Sequence, residues 1–184
     1  MIGEIRDRET AEIAIQASLT GHLVFSTLHT NDSAGAVTRL VDMGIEPFLI
    51  SSSVIGMMAQ RLVRTLCTDC KEPVVPTDLE LNQLGYSRER FLEETAGHVY
   101  QPRGCSECMG SGFRGRTGIF ELLIVSDEIR GLIMANVDSN TIKKKAIVNG
   151  MRTLRDDGSL KVMQGVTSIS EVLRVTQDDL LSFD

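Results

Sequence analysis

The chain has 184 residues, enough for one ordinary domain or for one domain with a small added module. Hydrophobic residues make up 42% and charged residues 24%, which is normal for a globular protein. The formal net charge of −6 argues against nucleic acid as the main partner. Aromatic residues are scarce, at 4% with no Trp, which argues against a surface that stacks on bases or sugars.

Neither a secretory signal nor a membrane span is predicted. Residues 1–7 are too charged for the apolar core of a signal peptide. The longest uncharged apolar stretch, residues 47–60, is too short to cross a bilayer. These features predict a cytoplasmic protein.

The first 45 residues predict alternating strands and helices. Residues 2–6 are expected to end a strand, and Asp7 is expected to cap a helix over residues 10–19. Residues 22–28 form a short apolar run, predicted as a strand buried on both faces. A second helix is predicted over residues 33–44. This order is typical of a parallel sheet with crossover helices.

A long helix is predicted to begin at Pro47. Its apolar residues recur at helical spacing, and such a stripe is far more often core than a ligand site. The residues of the stripe are Phe48, Ile55, Met58, Ala59, Leu62 and Leu66. Prolines and glycines then punctuate residues 67–116, where only a short helix near residues 79–84 is predicted.

The C-terminal part is predicted to return to regular structure. A strand is expected over residues 118–125, followed by helices that begin at about residues 127, 141, 153 and 170. Ser168 and Glu171 have the spacing of a capping box for the last helix. Residues 178–184 are expected to form a frayed acidic tail.

Four cysteines form two Cys-x-x-Cys pairs, Cys67/Cys70 and Cys105/Cys108. Without an export signal, this spacing favours a metal over disulfides. Four thiolates are the ligand set of a tetrahedral structural zinc site, which would here clamp the base of an inserted loop. A redox pair is the alternative. His98, within the loop, is expected to be a solvated side chain and not a fifth ligand.

Two polar residues follow the first two predicted strands. Ligands of open parallel sheets bind beyond the carboxyl ends of the strands, where Glu4 and His29 are expected. A carboxylate there can polarise a water for attack on a phosphoryl group or reach a bound Mg²⁺, and an imidazole could contact the γ-phosphate. His22 begins the second strand, at the opposite edge. The alternatives are a surface turn with an ion pair for residues 3–7 and a helix-end hydrogen bond for His22.

Together these segments resemble a known family. Residues 3–31 read GEIRDRETAEIAIQASLTGHLVFSTLHTN, a run similar to the nucleotide-site core of the secretion ATPase superfamily. That superfamily powers type II secretion and the extension and retraction of type IV pili. The resemblance implies that GEIRD is the Walker B segment, with Glu4 as the catalytic carboxylate. It also implies that His22 and His29 are the two residues of the family's histidine box.

The resemblance further implies ATP and Mg²⁺ as ligands of the parent enzyme. The residues expected to contact the nucleotide or its metal are Glu4, Arg6, Thr27 and His29. The expected zinc ligands, from the spacing of the two pairs, are the four cysteines at residues 67, 70, 105 and 108.

Later motifs narrow the choice within the family. They are AQRLVRTLCTDC, GCSEC, GFRGRTGIFE, GMRTL and ISEVLRVT, and they are similar to the assembly ATPases of type II secretion and pilus extension. Pilus retraction ATPases usually lack the cysteines. We favour a type II secretion ATPase, with a type IV pilus extension ATPase as the alternative.

The resemblance predicts an α/β fold: the C-terminal part of a RecA-like parallel-sheet ATPase domain with an inserted zinc-binding loop and a C-terminal helical region. The expected parts are residues 1–66, 67–108 and 109–184. The parent protein is expected to be a homo-hexamer at the cytoplasmic face of the inner membrane. Its expected partners are the inner-membrane platform and other cytoplasmic-membrane secretion proteins, and not nucleic acid.

The sequence contains no G-x-x-x-x-G-K-[ST] loop, whose backbone N–H groups and lysine hold nucleotide phosphates. In the family that loop lies upstream of the Walker B segment, as does an N-terminal domain that supplies arginines. We therefore expect a fragment that begins at the Walker B segment and is inactive by itself. The alternative is a non-catalytic, zinc-stabilised interaction module.

Overall fold

The computed structural model describes residues 1–177 and has a mixed α/β architecture. The predicted acidic tail, residues 178–184, lies outside the described residues. The helices are α1 (Arg8–Leu19), α2 (Ser33–Asp42), α3 (Pro47–Ser53), α4 (Asp78–Gln83), α5 (Arg88–Glu94), α6 (Asp127–Met134), α7 (Ser139–Val148), α8 (Leu154–Met163) and α9 (Ile169–Val175). The strands are β1 (Gly56–Leu66), β2 (Glu72–Val74), β3 (Val99–Gln101) and β4 (Phe113–Ile124).

The described chain divides into two compact units. The first contains Met1–Ala59 and Glu121–Met151, and the second contains Gln60–Phe120 and the described part of Arg152–Asp184. Strands β1 and β4 pair with each other, and each strand contributes residues to both units. The three-part division predicted from the sequence stays a prediction. Among residues 1–177, no helix is both long enough and apolar enough to span a bilayer.

The first unit consists mainly of helices that pack on one another and share one apolar core. Helix α3 packs on α1 and α6, and α2 packs on α7. Asp7 caps α1 by accepting a hydrogen bond from the Thr10 N–H, as predicted. The core residues of this unit include Ala11, Ile15, Val37, Leu40, Ile50, Leu123, Ile129 and Ile142.

The two strands predicted at residues 2–6 and 22–28 are instead irregular extended segments that run parallel. The Ile2 N–H donates to the Phe25 carbonyl and the Ile5 N–H to the Thr27 carbonyl, both at 2.9 Å. These donors are three residues apart and their acceptors two apart, so one extra residue interrupts the ladder, as in a bulge. Burial on both faces is also wrong, because Leu23 and Phe25 are 68% and 64% exposed.

The long helix predicted from Pro47 is wrong beyond Ser53. The hydroxyl groups of residues 51–53 donate to carbonyls three and four residues earlier, which weakens a helix by competing with its backbone bonds. Val54 is extended, and β1 begins at Gly56. The predicted core stripe is wrong for most of its residues, since β1 alternates and leaves Met58 and Leu62 exposed, while Leu66 is buried as predicted.

The insertion between the cysteine pairs contributes to a small core within the second unit. Strands β2 and β3 pair antiparallel, with Glu72 opposite Gln101 and Val74 opposite Val99. The short helix predicted near residues 79–84 is confirmed as α4, while α5 was not predicted. This core is shared with α8 and α9, and its buried residues are Leu81, Leu84, Tyr86, Phe91, Val99, Val162, Ile169 and Val172.

The C-terminal helices begin within two residues of the predicted positions. Ser126, Thr153 and Ser168 cap α6, α8 and α9. The capping box predicted for α9 is incomplete, because the carboxylate of Glu171 does not return to the backbone of Ser168. It instead accepts hydrogen bonds from two arginines.

Glu171 joins α9 to β1 through a buried carboxylate. It accepts hydrogen bonds from the Arg64 N–H at 3.0 Å, from the Arg64 guanidinium at 2.7 and 3.0 Å, and from Arg174 at 2.7 Å. Burial alone raises the pKa of Glu171, but the hydrogen bonds from Arg174 and Arg64 outweigh it and bring the pKa to about 2. Glu171 is therefore ionised at neutral pH and stabilises the second unit.

Replacing Glu171 with Gln should lower the free energy of unfolding at pH 7 by about 2 kcal/mol, because charge-assisted hydrogen bonds are lost. Urea denaturation measures this change. The matched control is Glu12→Gln, which alters an exposed pair with Arg8 and should cost less than about 0.5 kcal/mol. Equal costs for the two variants would contradict the assignment.

The same variant should change the pH dependence of stability. A carboxyl group whose folded pKa is depressed stabilises the fold above its unfolded pKa, about 4.3 for Glu. That contribution disappears as the pH falls from about 4.3 towards the folded value of about 2. Urea denaturation at a series of pH values across this window measures the effect. The free energy of unfolding should decrease less steeply with falling pH for Glu171→Gln than for the unsubstituted chain.

Candidate functional site

The structure brings three of the predicted site residues together in the first unit. Nε2 of His29 lies 2.5 Å from Oε1 of Glu4, and Nη2 of Arg6 lies 2.6 Å from Oε2 of the same carboxylate. Glu4 stands at the interruption between the two extended segments, and His29 follows the second of them. The pairing of these segments thus places an acidic side chain beside an imidazole 25 positions away in the sequence.

The carboxylate is the inner member of this group. The side chain of Glu4 is 21% exposed, compared with 74% for Arg6 and 84% for His29. The hydrogen bond from Arg6 lowers the pKa of Glu4; burial opposes this shift, and the charges of Arg6 and His29 add to it. Glu4 is therefore ionised at neutral pH. Its Oε1 atom is buried, and Nε2 of His29 lies 2.5 Å from it.

Thr27 holds the backbone on both sides of Glu4. Its hydroxyl donates to the Gly3 carbonyl at 2.7 Å, and its carbonyl accepts from the Ile5 N–H at 2.9 Å. The sequence predicted a nucleotide contact for Thr27, a role that stays a prediction. Sequence reasoning missed the contact with Gly3, because it spans 24 positions and no local pattern signals it.

His22 is placed in a different set of contacts. Its Nδ1 atom lies 3.2 Å from the Thr20 hydroxyl and 3.3 Å from the Ala17 carbonyl, at the C-terminal end of α1. This is the helix-end arrangement that the sequence left open as an alternative. A role of His22 at the nucleotide stays a prediction.

The four cysteines of the second unit converge, as predicted. Their sulfur atoms all lie within 4.8 Å of one another. Three of the separations are 3.9 Å for Cys67–Cys105, 3.8 Å for Cys70–Cys108 and 3.7 Å for Cys105–Cys108. A tetrahedral zinc with Zn–S bonds of about 2.3 Å requires sulfur atoms about 3.8 Å apart. The spacing therefore fits a tetrahedral metal and is too long for disulfide bonds.

Backbone N–H groups point at two of the sulfur atoms. Cys108 Sγ accepts from the N–H groups of Cys105 and Gly112 at 3.2 and 3.1 Å, and Cys70 Sγ accepts from Gly104 at 3.3 Å. Hydrogen bonds from Cys105 and Gly112 lower the pKa of Cys108 to about 6, against the effect of burial. Burial raises the pKa of Cys70 to about 12. These donors favour the thiolate, the form that binds metals; at Cys108 they outweigh burial, whereas at Cys70 burial outweighs the Gly104 donor.

His98 is not oriented as a ligand of this cluster. Its Nε2 atom lies 3.3 Å from the Tyr100 hydroxyl, and its ring packs edge-on against Tyr100. The metal-ligating group found among residues 1–177 consists of the four cysteines.

The chain belongs to the family described as type II/IV secretion system protein, whose model matches residues 1–174. It is 54% identical over 179 residues to type II secretion system protein E of Pseudomonas aeruginosa and 56% identical over 178 residues to type II secretion system ATPase E of Vibrio cholerae. Each match covers 97% of this chain and 34% of the relative. The type IV pilus assembly ATPase PilB of Thermus thermophilus is 51% identical over 176 residues, covering 96% of this chain and 20% of that protein.

Solved structures show the same fold at lower identity. The pilus retraction motor PilT with bound ADP matches 94% of this chain and 38% of its own chain, with a TM-score of 0.60 and 24% identity. The ATPase DotB of Legionella pneumophila matches 96% of this chain and 38% of its own, with a TM-score of 0.60 and 23% identity. These likenesses confirm the predicted RecA-like α/β class. The chain thus spans about a third of the length of the type II secretion relatives it matches.

Substitution of Thr27 tests how the segment at Glu4 is held. Thr27→Val keeps the shape but removes the bond to Gly3, which should cost about 1 kcal/mol. The Ile5 N–H should then exchange with solvent about fivefold faster, because local opening becomes easier. Amide hydrogen exchange followed by NMR measures this rate.

Thr27→Ser is the matched control, because it keeps the hydroxyl and should leave exchange at Ile5 near the rate of the unsubstituted chain. Equal rates in all three proteins would show that the hydroxyl does not hold the segment.

Proposed function

We propose that this chain is part of an ATP-hydrolysing motor that drives type II secretion, and that Glu4 and His29 belong to its nucleotide site. One observation carries the proposal: the buried Oε1 atom of Glu4 lies 2.5 Å from Nε2 of the largely exposed His29 ring. A carboxylate and an imidazole held this close, on two adjacent extended segments, are placed to act together on a phosphoryl group.

Each residue has a role that fits its position. Glu4 is ionised and can orient and polarise the attacking water, a role that needs charge and position more than a high pKa. His29 is largely exposed and can donate a hydrogen bond to the γ-phosphate or to the charge that develops on it. Arg6 holds one carboxylate oxygen and leaves the other beside His29. Thr27 fixes the backbone around Glu4 and is a candidate nucleotide contact.

ATP and Mg²⁺ are the ligands that the proposal requires. When bound, Mg²⁺ neutralises charge on the β- and γ-phosphates. The phosphate-binding loop is not among the 184 residues, so we propose that another segment of a longer protein supplies it. By itself the chain is then proposed to be inactive. The parent is proposed to form a homo-hexamer and to act on an inner-membrane platform.

The relatives favour type II secretion over pilus assembly by a narrow margin. The secretion ATPases of Pseudomonas aeruginosa and Vibrio cholerae are 54% and 56% identical, and PilB of Thermus thermophilus is 51% identical. A pilus extension motor is therefore the second candidate, supported by the same residues.

Measurements of phosphate release test the proposal. The 184-residue chain should show no Mg²⁺-dependent ATP turnover. A longer protein that joins this chain to a phosphate-binding loop should hydrolyse ATP, and Glu4→Gln should lower its kcat by about 100-fold or more. Glu12→Gln, on the exposed surface of α1, should leave kcat unchanged. Full turnover by the Glu4→Gln protein would contradict the proposed role of Glu4 in ATP hydrolysis.

We further propose that residues 67–108 form a metal-binding insertion held by zinc, with Cys67, Cys70, Cys105 and Cys108 as ligands. Three sulfur separations of 3.7 to 3.9 Å, with all four sulfur atoms within 4.8 Å of one another, support tetrahedral coordination. The metal joins the two ends of the insertion, because Cys67 and Cys70 precede β2 and the other pair follows β3. Its function is thus structural.

Metal analysis of the purified chain tests this second proposal. We expect about one zinc ion per chain, loss of the metal in Cys105→Ser, and a lower melting temperature after chelation. His98→Ala should retain zinc, because that ring packs on Tyr100. Oxidised cysteine pairs without bound metal would instead favour the redox alternative.

A further inference from the structure

A buried carboxylate lies behind the segment that carries His29. Glu121, in β4, is 0% exposed, and its neighbours Ser33 and Lys143 are 1% and 2% exposed. Glu121 ends the GFRGRTGIFE motif, to which the sequence assigned no chemistry. All of these residues belong to the first unit, which also contains Glu4 and His29.

Glu121 fixes the point where α2 begins. Its Oε1 atom accepts hydrogen bonds from the Ser33 N–H at 2.9 Å and from the Ser33 hydroxyl at 2.5 Å. Ser33 is the first residue of α2, so its N–H has no acceptor within the helix. A negative charge at this end is also favoured by the helix dipole.

Lys143 holds the preceding residue. Its Nζ atom lies 3.1 Å from Oδ2 of Asp32 and 3.7 Å from Oε2 of Glu121. The other oxygen of Asp32 accepts from the Gly35 N–H at 2.7 Å. Residues 32 and 33 are therefore held by side chains from β4 and α7, which lie far from them in the sequence.

Packing alone does not require a charge at this position. The following residues on the same buried face, Leu123 and Val125, are apolar, with 0% and 3% exposure. A buried carboxylate costs free energy unless hydrogen bonds and opposite charges compensate, so an apolar residue would serve the core as well. The carboxylate instead fixes the position of Ser33, because hydrogen bonds restrict the position of their partner more narrowly than apolar contacts do.

His29 depends on this anchoring more than a buried residue would. Its ring is 84% exposed, so packing does little to fix it, and its position follows from the backbone on either side. On the N-terminal side, Thr27 is bonded to the segment of Glu4. On the C-terminal side, the Thr30 hydroxyl donates to the Asp32 carbonyl at 3.1 Å. The next residue, Ser33, is bonded to Glu121.

We propose that Glu121 is a positioning residue: it sets the start of α2 and thereby holds His29 against the buried oxygen of Glu4. Its effect on ATP hydrolysis rests on the proposed function. Its effect on the placement of His29 does not rest on the proposed function, because the contact between His29 and Glu4 is present in the chain itself.

The imidazole signals of His22, His29 and His98 in ¹H–¹⁵N NMR spectra of the 184-residue chain report the placement directly. Glu4→Gln gives the reference shift of a His29 ring without its carboxylate. Glu121→Leu should move the His29 signals towards that reference and leave His22 unchanged. Ser33→Ala, which removes only the hydroxyl donor, should move them in the same direction by less, and it keeps the test open if Glu121→Leu does not fold.

Glu171→Gln is the matched control, because Glu171 is an equally buried carboxylate of the second unit. It should leave all three imidazole signals in place. Unmoved His29 signals in folded Glu121→Leu and Ser33→Ala would overturn the proposal. So would equal movement in Glu171→Gln, which would indicate general loosening.

Kinetics of the longer protein provide the second readout. Glu121→Gln keeps the shape but replaces one carboxylate oxygen by an NH2 group; it should lower kcat about tenfold while KM for ATP changes less than about twofold. An unchanged kcat would overturn the role in the reaction even if the His29 signals move. Failure of the proposed function would appear separately, as full ATP turnover by the Glu4→Gln protein.

Discussion

The candidate site depends on how two extended segments are held side by side. Two main-chain hydrogen bonds and the Thr27 hydroxyl join residues 2–5 to residues 25–27. The interruption of the ladder at Gly3 and Glu4 directs the carboxylate towards His29, as bulges do at many active sites. Without this local irregularity, a regular parallel pair would place successive side chains alternately on opposite faces.

Buried carboxylates connect distant parts of each unit in the same way. Glu121 joins β4 to the start of α2, and Glu171 joins α9 to β1. In both cases the carboxylate accepts a main-chain N–H and at least one side-chain hydrogen bond, which offsets part of its loss of water. These contacts give the fold fixed relations between elements that apolar packing alone would leave less well defined.

The metal cluster addresses a different constraint. The insertion forms only two short strands and two short helices, and part of its core comes from α8 and α9. A module of this size buries little apolar surface, so joining its two ends by a metal is an effective way to stabilise it. The N–H groups that point at Cys70 and Cys108 prepare the sulfur atoms for that role.

The sequence by itself determined the family, the helix caps at Asp7 and Ser168, and the convergence of the four cysteines. These signals are local or depend on spacing, so they can be read without the fold. Only the tertiary structure decided that residues 56–66 form a strand and that His22 contacts the C-terminal end of α1. It also decided that the Glu171 carboxylate accepts hydrogen bonds from two arginines and does not complete the predicted capping box. Each of those outcomes depends on neighbours brought together by folding, and no nearby residue specifies them.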